Sequence, residues 1–448
     1  MKKKLFFGLE NDGAAVVEEE STETVTVAES DAETAVAEVT EVVADIHDDL
    51  DLIEESVAEI ETLEDHTEVV EDSLVDDGEG ISEDHAETLN IAVESIMRRL
   101  NYPKKITISK EHFGSTHSRK QATQVTLESL SDSLLKLWEK AKEIINNVWK
   151  SVVEFFNKYF TQTGRIKQAI VDIKKKVEAA KGAPKEATIK NAGLTRAFYD
   201  FKSSSVKIDE IVANQLELTK DGLMMADRVS SVAEANVNFI KADGSLPSDD
   251  VIDKSMQASI DLIGLITKGK EESGPYFNGA FFELEKGRIE AEGELKVGES
   301  GGKISLSIPA LKIKTISSEV KADGLPALTK EACGKYIKEA EALLAATEQF
   351  KAKQGKLDAY RKSNEKMNDV VIKFVKSSTD KEGAEAKKYL SELRTYAVNM
   401  NNSLTRAFVT IPSYNLNTVK ALLNYVQASL RNLGEGEAAK EEEKKDAE

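Results

Sequence analysis

Histidine and cysteine, which often act in catalysis and metal binding, are rare in this chain, and most of them lie near its N-terminus. All five histidines fall within the first 120 residues, and none has a partner at a metal-ligand spacing such as HExxH. The single cysteine, Cys333, cannot form a disulfide within the chain or a cysteine-based metal site. We therefore expect no catalytic site, no metal and no cofactor, and a protein that is not an enzyme. The histidines are His47, His66, His85, His112 and His117.

One basic stretch, RIKQAIVDIKKKVEAAKGAPK, could neutralise phosphates. No RNP motif, zinc finger or base-stacking motif accompanies it, so any contact with DNA would be nonspecific. The competing interpretation of each lysine is a solvated helix face. The candidate DNA contacts are Arg165, Lys167, Lys174, Lys175, Lys176, Lys181 and Lys185.

The net charge of −20 is divided unevenly along the 448 residues. Residues 1–100 carry 31 acidic and 5 basic side chains, a net charge of −26, and residues 435–448 carry a net charge of −4. The remaining residues, 101–434, have a net charge of +10. An acidic protein therefore contains a basic body.

The hydropathy pattern predicts a mainly α-helical fold. We expect a multi-helix bundle with a small antiparallel β insertion, preceded by a largely disordered acidic N-terminal arm. No window of eighteen consecutive apolar residues occurs, so we expect no membrane-spanning helix. The segments are an acidic low-complexity arm (1–80), a short helix and basic linker (81–128), an amphipathic Trp-rich helical hairpin (129–190), a helical body (191–272), the β insertion (273–326), the C-terminal helices of the body (327–434) and an acidic disordered tail (435–448).

The acidic arm is built from Glu, Asp, Val, Ala and Thr in low-complexity order. Its self-repulsion and its lack of aromatic residues disfavour a packed core. Apolar residues nevertheless recur at steps of three and four from Val43 to Leu63, which predicts a marginal amphipathic helix inside a mostly disordered arm. The alternative is a solvated acidic tail without a purpose.

The stretch ESLSDSLLKLWEKAKEIINNVWKSVVEFFNKYF, residues 128–160, contains both tryptophans on one helical stripe. Ser129 predicts the start of this helix, and residues 161–164 predict the turn to a second helix. Three interpretations of the stripe are open: a core seam, an interfacial membrane anchor and a docking surface for another protein.

The order of these parts resembles a known family. A strongly acidic arm, then HFGSTHSRKQATQVTLESL, then the Trp- and Phe-rich helix is similar to the internal head proteins, the inner-body or ejection-type virion proteins, of giant tailed bacteriophages. The resemblance covers roughly residues 1–165. It implies assembly in the bacterial host cytoplasm, a final location inside the phage head, and partners among other head or inner-body proteins and packaged DNA.

The resemblance also implies that the acidic arm is a propeptide removed by the prohead protease. Cleavage in such proteins follows a glutamate two residues after a small or apolar side chain. Thr126-Leu127-Glu128 and Ser109-Lys110-Glu111 match, so the candidate cleavage sites follow Glu128, which we prefer because it adjoins the predicted helix start, and Glu111. A cut after Glu128 would remove a net charge of −23 and change a chain of −20 into one of +3.

Two alternatives remain beside a packaged and matured virion protein that is delivered with the genome. In the first, the protein is a soluble membrane-associating helical protein in which the hairpin inserts into lipid. In the second, it is an assembly scaffold that is not retained in the particle.

Overall fold

The long helices of this protein account for most of its structure. The computed structural model describes residues 26–74, 78–102, 116–237, 249–267, 277–284, 311–377 and 381–433. The helices in these ranges are α1 (Thr26–Asp72), α2 (Glu83–Arg99), α3 (Thr116–Ala179), α4 (Ala192–Ala197), α5 (Ile208–Val237), α6 (Asp249–Thr267), α7 (Lys330–Ser377) and α8 (Lys381–Asn432). The strands are β1 (Thr188–Ile189), β2 (Tyr199–Asp200), β3 (Ser205–Val206), β4 (Ala280–Leu284), β5 (Leu311–Thr315) and β6 (Leu325–Pro326).

Helix α8 is the centre of the bundle. From Leu393 to Leu416 every residue except Asn399 is buried. Helices α1, α3, α5 and α7 surround this part of the chain, and α4, α6 and β5 also contact α8. A helix enclosed in this way must bury polar side chains as well as apolar ones, and each of those polar groups needs a partner.

Cross-helix pairs fix the directions of the helices. Glu38 of α1 lies opposite Gln162 of α3, and Glu64 lies opposite Trp138, so α1 and α3 are antiparallel. Pairs of the same kind make α7 antiparallel to both α3 and α8, and parallel to α5. The predicted mainly α-helical bundle is confirmed.

The predicted small antiparallel sheet is confirmed where the chain is described. Strands β4 and β5 pair with Ala280 opposite Thr315 and Leu284 opposite Leu311, and residues 285–310 between them lie outside the described ranges. Two further antiparallel pairs are only two residues long: β1 with β6, and β2 with β3. The short β1–β6 pair connects the chain after α3 to the chain before α7.

The acidic segment differs from the expected disordered arm, because α1 is a helix of 47 residues packed into the core. Its buried side chains alternate in steps of three and four, which gives the 3.5-residue period of a coiled-coil seam. This regular stripe stabilises the helix by burial despite the charge on its other faces. The stripe contains Val36, Val39, Val43, Ile46, Leu50, Ile53, Val57 and Ile60, each 4% exposed or less.

The predicted helical hairpin is wrong, because α3 is one helix of 64 residues, about 95 Å long. It begins at Thr116, inside the segment expected to be irregular, so Ser129 is not a helix start. It also continues through residues 161–164 without a turn. The helix penalty of one glycine, about 1 kcal/mol, is small beside the packing of α3 on α1 and α7. The predicted start of α2 is confirmed, since Ser82 Oγ accepts a hydrogen bond from the His85 N–H.

The tryptophan stripe of α3 faces the core. Trp138 is 5% exposed, and Phe155, Phe156 and Tyr159 are buried farther along the same helix. Phe156 packs edge-on against Phe408 of α8 with ring centroids 5.4 Å apart. Of the three interpretations, the core seam is therefore confirmed.

Gly164→Ala tests whether α3 is continuous. A Cβ added at Gly164 would have no atom of another helix or strand within 4 Å. Because Ala is the better helix former, we expect this variant to raise the free energy of unfolding by about 0.5–1 kcal/mol, measured by urea denaturation followed by circular dichroism.

Gly222→Ala in α5 is the matched control. Its Cβ would lie 2.6 Å from Ile411 Cδ1 and 3.0 Å from Phe350 Cζ, so we expect a loss of about 1–3 kcal/mol. A loss of stability in Gly164→Ala as well would contradict the uninterrupted helix, because a turn glycine resists replacement by Ala.

Candidate functional site: the ionic seam between helices

Helix α1 carries eighteen acidic side chains and no lysine or arginine. Of the fourteen whose burial is described, seven are exposed, and a few of the others point into the bundle toward cations of other elements. We call this set the ionic seam. It consists of Asp51, Glu54 and Glu64 of α1, Arg394 and Arg406 of α8, and Lys312 of β5.

Arg406 forms one end of the ionic seam. Its guanidinium lies 2.9 Å from Asp51 and 3.2 Å from Glu54, and its side chain is only 3% exposed. Lys312 contacts the same two carboxylates, 2.9 Å from Asp51. Burial alone would raise the pKa of Asp51, but Arg406 and Lys312 bring that pKa below its ordinary value. Two cations thus favour the charged form of Asp51, and both also contact the Glu54 carboxylate.

Glu64 and Arg394 form the other end. The Glu64 carboxylate accepts hydrogen bonds from the Trp138 indole N–H at 2.8 Å and from Arg394 at 3.2 Å. The Arg394 guanidinium lies over the Trp138 ring, 4.8 Å from its centroid. Burial raises the pKa of Glu64 above its ordinary value, and Arg394 offsets only part of this effect. Glu64 of α1, Trp138 of α3 and Arg394 of α8 therefore contact one another at this point.

His47 lies next to the Arg406 end of the seam. Its Nε2 shares a hydrogen bond of 2.9 Å with the Thr410 hydroxyl. Burial, together with the charge of Arg406, lowers the pKa of His47 to about 3, so the imidazole is neutral. Although all five histidines lie in the first 120 residues, His47 belongs to the folded bundle, because α1 packs into it. His66 and His85 form an edge-on ring pair between α1 and α2, 6.3 Å apart.

The spacing of the charges fixes the register of α1 on α8. Twelve residues separate Arg394 from Arg406, about 18 Å along a helix. Glu64 lies ten residues from Glu54 and thirteen from Asp51, about 15–20 Å in the opposite direction. In the antiparallel arrangement both ends pair at once. A shift of α1 by one residue or more would leave buried charges without partners, at a cost of several kcal/mol.

The predicted cleavage sites occupy different places. Glu128 is an exposed residue within α3, and Thr126 beside it is buried and hydrogen-bonded to the Ala122 carbonyl. Our reason for preferring Glu128, a helix start at Ser129, is wrong. Glu111 lies outside the described residues. Cleavage at either position stays a prediction.

The predicted DNA-contacting cations lie along the C-terminal half of α3 and just after it. Three of them have carboxylate partners: Lys167 with Glu348 of α7, Lys174 with Glu341 of α7, and Lys175 with Asp172. The acids of α7 therefore neutralise part of the cluster. The other four, all exposed, are Arg165, Lys176, Lys181 and Lys185.

Sequence reasoning missed every residue of the ionic seam. A signal was present, because Arg406 lies between Leu404 and Phe408 in an apolar stretch of α8, and a charge in such a position must be paired. The same logic applies to Glu64, which occupies the position where the 3.5-residue repeat of α1 calls for an apolar side chain. The partner of each charge could not be read from the sequence.

The ionic seam aligns the helices through pairs between its carboxylates and its cations, although the buried Nε–H groups of Arg394 and Arg406 have no hydrogen-bond partner among the residues that the structure describes. Cys333 is buried, and burial raises the pKa of its thiol to about 11. Within the described ranges, no group of three or more His, Cys, Asp or Glu side chains is placed to hold a metal ion. Among the helices of those same ranges, none has the length and apolar character needed to cross a membrane.

Fold and site together define a bundle of long helices whose buried charges fix how the helices align. A family model of phiKZ-like phage internal head proteins matches residues 27–428. The chain belongs to this family, which is located in the phage head interior together with other head proteins. The match includes all of α1 except its first residue. No curated protein and no solved structure matches the chain.

Arg406→Met tests the ionic seam. In this variant Lys312 is the only cation of the seam that still contacts Asp51 and Glu54. The Glu54 side chain is 9% exposed. Breaking one partner out of a buried pair costs about 3–5 kcal/mol, and we expect about 2–3 here because Asp51 is 43% exposed. Urea denaturation at neutral pH measures the change.

Lys353→Met is the matched control, since Lys353 forms a partly exposed pair with Asp227 at 2.7 Å. Such a pair contributes about 1 kcal/mol at most, and Lys356 also contacts Asp227. Equal losses in the two variants would argue against a special role of the seam.

Proposed function

We propose that this protein is a non-enzymatic structural protein of the virion, packaged inside the phage head with other head or inner-body proteins. It is made in the host cytoplasm, cut by the prohead protease during maturation, and delivered with the DNA. The observation that carries the proposal is the family match over residues 27–428, which covers nearly the whole fold.

The geometry of the bundle supports a structural role. Its helices reach 64 residues, and the carboxylates of Glu54 and Glu64 pair inside it with Arg406 and Arg394. Such a bundle exposes long, charged helix faces on which neighbouring head proteins can pack. The structure thus fits a component of a larger assembly better than a protein that encloses a small ligand.

Processing by the prohead protease has a different physical requirement at each candidate site. A protease binds its substrate as an extended segment, so a cut after Glu128 requires α3 to unwind around it. Cleavage there therefore belongs to a stage before α3 is packed. A cut after Glu111 severs the chain between α2 and α3 and divides neither helix.

DNA contact is a weaker part of the proposal. Arg165, Lys176, Lys181 and Lys185 are exposed cations, which suits loose contacts with phosphates. The acidic faces of α1 oppose such contacts as long as α1 is present. Binding to DNA would therefore be weak, nonspecific and strongly dependent on salt.

The lipid-inserting alternative receives no support from the packing of α3. Trp138, Phe155 and Phe156, which would enter the membrane, are instead buried against α1 and α8. Exposing them would require the bundle to open. The scaffold alternative differs from the proposal in one respect, since a scaffold is absent from finished particles.

Mass spectrometry of purified mature virions tests the proposal. We expect peptides from α3 to α8 in the particles, and semi-specific peptides that begin at Ser129 or at His112 and mark a cut after Glu128 or Glu111. Immature particles lacking protease activity are the control and should contain only the uncut chain. Absence of the protein from mature particles would favour the scaffold, and an intact chain in them would contradict maturation.

A further inference from the structure

Helices α1 and α2 pack against each other and against the rest of the protein. The carboxylates of α1 have charged partners on α2, α8 and β5 and uncharged hydrogen-bond donors on α3. Helix α2 runs antiparallel to α1 and is tied to it by Arg99, which lies 2.7 Å from Glu59 and 3.5 Å from Glu55. Residues 26–102 thus form an acidic helical hairpin, and we use this name for them below.

The acidic hairpin sits in a groove that is complementary to it in shape and charge. Helices α3 and α8 form the walls of this groove. Their apolar side chains cover the heptad stripe of α1, from Val36 to Ile60. Arg394, Arg406 and Lys312 line it and meet the carboxylates of α1. The groove therefore recognises an amphipathic helix with carboxylates at the spacing of Asp51, Glu54 and Glu64.

A third set of contacts holds the turn between α1 and α2. The Ile81 N–H donates a hydrogen bond of 3.0 Å to Thr123 Oγ1 of α3, and Arg119 of α3 lies 3.3 Å from Glu79. Gly80 adopts a positive φ of 78° and packs against the same turn of α3; its Cβ would lie 2.5 Å from Thr123 Oγ1. The hairpin is thus attached to α3 at its turn as well as along α1.

Only residues 103–115 connect the acidic hairpin covalently to α3. They include Glu111, one of the two candidate cleavage sites. A cut there breaks the chain but removes none of the contacts described above. We propose that the acidic hairpin is a non-covalent subunit of the bundle, which stays bound in the groove between α3 and α8 after the chain is cut between α2 and α3.

The inference rests on the proposed function only for its consequence in the virion. Residues 1–111 carry 32 acidic and 8 basic side chains, a net charge of −24. If the hairpin stays bound, a cut after Glu111 does not reverse the charge of the particle component. The net charge then changes sign only when a separate event displaces the hairpin. Cleavage of the chain and the change in its net charge are therefore two steps.

The test is an in vitro cut of the full-length protein. A recognition sequence for a site-specific protease replaces residues within 103–115, and the purified protein is cut and passed over a size-exclusion column at roughly 10 µM. We expect the two fragments to elute together at the volume of the uncut protein with unchanged helical circular dichroism, because we expect a dissociation constant below about 1 µM. Separate elution of the acidic fragment from a folded remainder would overturn the proposal.

Two variants of α1 test whether its buried stripe holds the hairpin after the cut. Ile53→Asp places a charge in the buried stripe, where Ile53 is 0% exposed, and should release the hairpin after the cut by weakening binding more than about a hundredfold. Val69→Asp is the matched control on the same helix, at a side chain that is 52% exposed, and should leave retention unchanged. Release in both variants, or in neither, would contradict binding through the heptad stripe.

A second experiment avoids the inserted sequence. Residues 1–111 and 112–448 are expressed together as separate chains, with an affinity tag on the acidic one. We expect the tagged chain to capture the other in equal amount, whereas recovery of the acidic chain alone would count against the proposal. Neither result depends on processing in the phage, so an uncut chain in mature virions would refute the maturation step and leave this inference standing.

Discussion

The antiparallel alignment of α1 against α8 is the constraint on which the rest of the bundle depends. Between Leu393 and Leu416 helix α8 is almost entirely buried, so the arginines it carries at 394 and 406 must find carboxylates inside the protein. Helix α1 supplies them at the matching separation and covers the apolar side chains between them. The remaining helices then have fixed positions around this pair.

Hydrophobic burial and buried charge have different roles in this arrangement. Burial of the 3.5-residue stripe supplies most of the free energy that holds α1 in the bundle, at about 1.5–3 kcal/mol for each fully buried large side chain. A regular stripe of Val and Ile, however, packs almost equally well when it is shifted by seven residues. Buried ion pairs add little net stability, but they make the shifted alignments costly. The acidic residues of α1 therefore include a few that specify register, and others, such as Glu41 and Asp45, that face solvent.

The sequence predicted those features that depend on local pattern. The helical period, the antiparallel strand pair around Phe282 and the apolar stripe from Val43 to Leu63 were all readable. Composition was misleading for α1, since a run of acidic residues indicates disorder only when no partner neutralises and buries it. That partner, α8, lies more than 300 residues away in the chain. The predictions of a helix start at Ser129 and of a turn at residues 161–164 were wrong for a related reason. Tertiary packing of α3 outweighs weak local signals for a helix end.

The central claim is that α1 is part of the folded core, and hydrogen exchange of the native full-length protein, read by mass spectrometry, tests it most directly. If α1 packs as described, amides between Val36 and Val70 exchange as slowly as those of α3 around Trp138 and of α8 around Arg406. Exchange of the α1 amides at the rate of an unfolded peptide, while α3 and α8 remain protected, would contradict it.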